Sequence, residues 1–129
     1  MEIQHFYPAT TVTEVERYGN VRFSPINIDY FIRLQDWHQK SFDDVQKVLV
    51  EAADRPGDVK SLLLLQEVLV AMIHTATYPF VQNEVSFDAW KGTVTGWVLS
   101  KPKLVEWFLA YFQGFMPEGK RGKSETPSS

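Results

Sequence analysis

Val59-Lys60-Ser61-Leu62-Leu63-Leu64-Leu65-Gln66-Glu67-Val68-Leu69-Val70-Ala71-Met72-Ile73-His74-Thr75-Ala76-Thr77 decides how this chain is read. The run holds no glycine or proline, whereas Asp54-Arg55-Pro56-Gly57 precedes it and Pro79 follows it, so the pattern predicts a helix over 59–77. Its apolar residues fall on nearly every side. Such a helix belongs at the centre of a bundle or in an oligomer interface. Its most apolar part, Leu62 to Ile73, is about two-thirds of the length that spans a bilayer and is interrupted by Gln66 and Glu67, which favours a buried core helix over a membrane segment.

Upstream, Ser41-Phe42-Asp43-Asp44 has the form of a capping box with Asp in place of Glu, and Phe42, Val45, Leu49 and Ala52 follow on one face of a second helix. Before it, Ser24-Pro25 predicts a helix start, because the hydroxyl can cap free amides and the proline lacks the N–H that a first helical position leaves unused. That helix is expected over about 25–39, with Tyr30, Phe31, Leu34, Trp37 and His38 as its apolar stripe. The first 23 residues mix β-branched and aromatic residues with Thr, and Gly19-Asn20 suits a tight turn, so a hairpin of 11–17 and 21–23 is expected. Two strands are barely stable alone. This hairpin must pack on helices or pair with another chain.

Downstream, Phe87, Trp90, Val94, Trp97 and Val98 repeat at helical spacing over 86–99, although Thr93-Val94-Thr95 favours strand. Gly92 and Gly96 weaken a helix there, and four apart they would clear one face for a close neighbour. Pro102 opens a last helix with Leu104, Val105, Phe108, Leu109, Phe112 and Phe115 on a broad apolar face. The expected architecture is mainly α: a small bundle of about five helices with a short N-terminal hairpin, one domain over 1–117, and a disordered tail over 118–129.

Composition narrows the function. At 129 residues a single core is possible, and 44% hydrophobic with 22% charged residues is ordinary for a globular domain. A formal net charge of −3 offers no basic footprint for nucleic acid. With no cysteine, disulfide and thiolate chemistry are excluded. The start Met1-Glu2-Ile3-Gln4-His5 lacks the basic and apolar segments of a signal peptide. His5, His38 and His74 lie on different elements with no i, i+4 pair, so no metal site is expected, and no cofactor. Asp43-Asp44 and Asp54…Asp58 are read as standing at helix starts, where acidic side chains satisfy amides and the dipole. Gly122-Lys123-Ser124 matches the end of a phosphate loop but lacks the earlier glycine, the strand and the helix. These readings favour a protein that acts by binding rather than by catalysis. Aromatics make up 14% of the chain, and Trp97, Trp107, Tyr111 and Phe115 are the candidate protein-binding residues.

The layout resembles the short tail assembly chaperones of long-tailed bacteriophages. The resemblance rests on Tyr18-Gly19-Asn20-Val21-Arg22-Phe23-Ser24 as a hairpin running into a capped helix, on Leu69-Val70-Ala71-Met72 in an apolar mid-chain helix, and on Gly119-Lys120 near the C-terminus. It covers about residues 12 to 123 and leaves Met1 to Thr11 outside; each motif is short and none is diagnostic alone. In that family a Gly-Lys pair is often encoded by a slippery sequence at which some ribosomes shift frame, which makes Gly119 and Lys120 the candidate frameshift position, with Gly122-Lys123 as another. The resemblance implies a self-associating scaffold in the host cytoplasm, absent from the finished virion, with no role for nucleic acid or membrane. Its partners would be the tape-measure protein, kept soluble, and, through a longer frameshifted form, the tail-tube protein. The alternative is a small adaptor or inhibitor bundle that binds and blocks one protein target.

Overall fold

The computed structural model describes residues 11–15 and 19–115. Its elements are strands β1 (Thr11–Val15) and β2 (Gly19–Phe23), followed by helices α1 (Ile28–His38), α2 (Phe42–Asp54), α3 (Val59–Thr77), α4 (Phe87–Ser100) and α5 (Pro102–Gln113). A 3₁₀ turn, Tyr78–Phe80, follows α3. The protein is a small helical bundle with a short N-terminal hairpin.

The expected element boundaries hold best where the local chemistry is least ambiguous. α3 begins after Asp58, whose carboxylate accepts from the Ser61 N–H at 3.0 Å. α2 carries the reciprocal box foreseen for it: Ser41 Oγ accepts from Asp44 N–H at 3.1 Å, and the Asp44 carboxylate accepts from Ser41 N–H at 3.0 Å. The stretch around Thr93-Val94-Thr95 is helical, capped by Ser86, whose hydroxyl accepts from Ala89 N–H.

Two boundaries differ from expectation. The strands are antiparallel with Val15 opposite Gly19 and Thr11 opposite Phe23, so Gly19 and Asn20 lie within β2 instead of forming the turn. The register puts the connection at residues 16–18, which lie outside the described residues, and not at the Gly19-Asn20 turn expected. α1 begins at Ile28 rather than at Pro25, because Asn27 is its cap and accepts from Tyr30 N–H at 3.1 Å. Ser24 is engaged elsewhere: its N–H donates to the Ala76 carbonyl at 2.9 Å and its hydroxyl accepts from Arg33 at 3.0 Å.

The core gathers on the second half of α3, where residues 68–77 are all buried. Val21 and Phe23 of β2, Tyr30 and Leu34 of α1, Trp90, Val94 and Trp97 of α4, and Phe108 and Phe112 of α5 complete it. Several polar groups inside are hydrogen-bonded. Tyr30 donates to the Met72 carbonyl at 2.9 Å, and the Trp90 indole N–H donates to Thr77 Oγ1 at 2.8 Å. Thr75 and Thr77 return their hydroxyl protons to carbonyls one turn back. By length and composition Val59–Phe80 is apolar enough to cross a membrane, at a mean hydropathy of 1.4, yet more than half of that window is buried in the bundle. The expected tail, 118–129, lies outside the described residues.

Candidate protein-binding surfaces

The four aromatic residues singled out in the sequence separate into two places. Trp97 is 2% exposed and packs edge-on against Trp90 at 5.3 Å, so it is a core residue and presents nothing to a partner of the folded chain. Its position follows from α4, where Trp90, Val94 and Trp97 form the buried stripe. Trp107, Tyr111 and Phe115 do come together. Trp107 stacks on Tyr111 at 5.2 Å, Phe115 meets the other edge of Tyr111 at 5.0 Å, and Phe23 sits under both Trp107 and Tyr111. The Tyr111 hydroxyl donates to the Ser24 carbonyl at 2.7 Å. This half-buried row fastens α5 over β2, so a substantial part of its aromatic area is already used within the chain.

Larger exposed apolar surface lies on other elements. On α1, Ile28 is 75% exposed and Ile32 59%, one above the other at i, i+4, and they line a groove of about 480 Å³ together with Phe31, Phe42 and Gln35. On the first half of α3, Val59 is 68% and Leu63 60% exposed, with Leu62 and Leu64 beside them. The sequence signal for α3 was its unbroken apolar girth. Ile28 and Ile32 were missed because the apolar stripe of α1 was traced through Tyr30, Phe31, Leu34, Trp37 and His38, which leaves both isoleucines out. Gly92 and Gly96 do not admit a neighbouring element: a Cβ placed at either would meet nothing within 4 Å. They sit on the open side of α4 near the exposed Leu99.

The histidines also differ from the scattered arrangement expected. His38 at the end of α1 and His74 in the buried half of α3 lie side by side, with His38 Nε2 3.1 Å from His74 Nδ1, and His74 Nε2 lies 3.2 Å from the Phe87 carbonyl at the start of α4. Tyr78 stacks on His74 at 5.0 Å, and Phe87 and Trp37 close over it edge-on. Burial pushes the His38 pKa down to about 4, helped by His74, Lys91 and Lys40, and burial lowers that of His74 as well. A separation of 36 residues hid this pair from any spacing rule. Among the described residues no group of three or more His, Asp or Glu side chains is placed to hold a metal ion. Asp44 and Asp58 are both held below the usual carboxylate range by hydrogen bonds from Ser41 and Ser61, in keeping with their capping positions. Gly119 and Lys120 lie outside the described residues.

Surfaces of this kind can bury an amphipathic helix or a second copy of the chain. No protein-family model matches the chain, and neither a curated protein nor a solved structure matches it.

Proposed function

We propose that the chain is a tail assembly chaperone of long-tailed phage type, acting by binding and not by catalysis. It would hold the helical tape-measure protein in solution and, through a longer frameshifted form, help to recruit tail-tube subunits, working as a homo-oligomer in the host cytoplasm. The observation that carries this reading is the groove on α1, where Ile28 and Ile32 stand in solvent at helical spacing beside Phe31. An apolar groove between two helices is the usual receptor for one apolar face of a partner helix. The exposed leucines of α3 give a second face on which copies of the chain can associate.

The test is co-expression with the tape-measure protein encoded downstream. The wild-type chain is expected to raise the soluble fraction of that protein and to co-purify with it. Ile28→Ser/Ile32→Ser, two changes at exposed positions, should leave the fold intact and lose the partner, by about thirtyfold in affinity if the groove contains a hot spot of about 2 kcal/mol. No gain in solubility with the wild-type chain would overturn the chaperone reading and leave the adaptor or inhibitor bundle in its place.

A further inference from the structure

The contact between His38 and His74 fixes the protons of both rings. The Phe87 carbonyl can only accept, so His74 carries its proton on Nε2, and a neutral His74 then has a bare Nδ1. That nitrogen accepts from His38, which therefore carries its own proton on Nε2. One chain of two hydrogen bonds ties the end of α1 to α3 and the start of α4, and it is complete with both imidazoles neutral.

A further proton has no comfortable place in this arrangement. On His38 Nδ1 it creates a cation facing Lys40, which follows α1, and Lys91 of α4. Glu67 of α3 is already paired with Lys40 at 3.3 Å. On His74 Nδ1 the proton sets one N–H against another and places charge on a ring with no solvent exposure, between Tyr78 and Phe87, with Asp88 acting against Lys91 from α4. Either route is relieved when the end of α1 moves off α3 and water reaches both rings.

We propose that the His38–His74 pair is an acid-released latch, which holds the Trp37–Lys40 corner on α3 and α4 when neutral and frees it on protonation, uncovering the aromatic nest of Trp37, Tyr78 and Phe87. Both imidazoles titrate below their ordinary value of 6.5 in the folded chain, so on acidification the unfolded or opened form takes up protons first. The stability that the latch contributes is therefore complete above about pH 6.5 and drains as pH falls towards about 4. The other buried residues are aliphatic, aromatic or hydroxyl-bearing and none of them changes charge between about pH 4 and 7, so the change is confined to this corner.

Nitrogen-resolved spectra of the full chain, followed on imidazole and indole N–H groups from about pH 7.5 to about pH 3.5, test the proposal. Two histidines should titrate below the ordinary value of 6.5, His38 near about 4, and the Trp37 indole signal should shift in the same window while helical circular dichroism is retained. In His38→Gln the amide can still donate to His74 without titrating, and the Trp37 transition should move down by about one pH unit or vanish. Lys91→Gln, an exposed change, removes a cation that disfavours protonation of His38, so it should raise the His38 midpoint and carry the Trp37 transition with it to higher pH at reduced amplitude; it tests the latch if His38→Gln does not fold. Titration of both histidines near 6.5, a Trp37 signal that stays still, or a transition unmoved by the variant that folds would overturn the latch.

Discussion

Within α3, residues 59–67 set Val59 and four leucines beside Lys60, Gln66 and Glu67 whereas residues 68–77 carry neither Lys nor Glu, and Val59, Leu62, Leu63 and Leu64 of the first half stand in solvent while every residue of the second is buried. The difference comes from what is packed alongside. Lys40 bonded to Glu67 places the start of α2 beside the middle of α3, against which α2 packs. The second half receives α1 through Tyr30 and Met72, β2 through Ser24 and Ala76, and α4 through Trp90 and Thr77. Hydrophobicity states how much a segment gains by burial. The arrangement of its neighbours decides whether that gain is realised inside the chain or is left for another molecule.

The largest expected effect comes from cutting into the buried half. Ile73→Ala should cost about 3 kcal/mol, within the range of roughly 2–5 for removing a large aliphatic side chain from a packed core, whereas Leu63→Ala should change stability by less than about 0.5 kcal/mol. Urea unfolding of the two variants reads the contrast directly; equal losses would mean that the first half is covered in solution. A smaller effect of opposite sign is expected on the open side of α4. Gly96→Ala adds a methyl group into empty space within a helix and should stabilise the chain by about 0.5–1 kcal/mol, and a loss would show that something packs on that face. The smallest effect on stability, and the one that sharpens the comparison most, is expected from Leu63→Gln. Its unfolding midpoint should hardly move, but light scattering at micromolar concentration should fall from a species heavier than 14.9 kDa towards that mass. A wild-type chain that is monomeric at every concentration would remove self-association as the use of this surface.

Much of the fold was legible because it is written in local chemistry. Asp58 and Ser61, Ser41 and Asp44, and Pro102 each fix a helix end within a few residues of sequence. The start of α1 was misjudged because Ser24-Pro25 carries the same local signal as Asn27, and the choice between them is made at long range, by Ala76 and Arg33 occupying Ser24. The hairpin register was misplaced for a related reason: Gly19-Asn20 can form a turn or sit in a strand, and pairing decides. Of the four candidate aromatics, Trp107 and Tyr111 lie on α5 and Phe115 just beyond its end, and these three meet. Which of the four aromatics face inward depends on where α4 and α5 pack, and that set Trp97 apart in the core. The paired histidines required α1 and α3 to be brought together first, and so had no sequence signature.

Ser24 links the ends of the described chain. Its N–H reaches α3, its hydroxyl is held from α1, and its carbonyl receives the Tyr111 hydroxyl, 87 residues further on. The hairpin that precedes Ser24 is too small to persist alone, and the contact that seals it to α5 cannot form until α5 exists. At a synthesis rate of about 5–20 residues per second, Ser24 leaves the peptidyl transferase centre roughly 4 to 17 seconds before Tyr111 is added. During that interval Phe23 of β2 lacks the cover it takes from Trp107, Phe108 and Tyr111 of α5, so the nascent chain carries a transient adhesive site that the mature fold buries. Closure of the molecule is therefore a late event in its synthesis, governed by its last described helix rather than by its first elements.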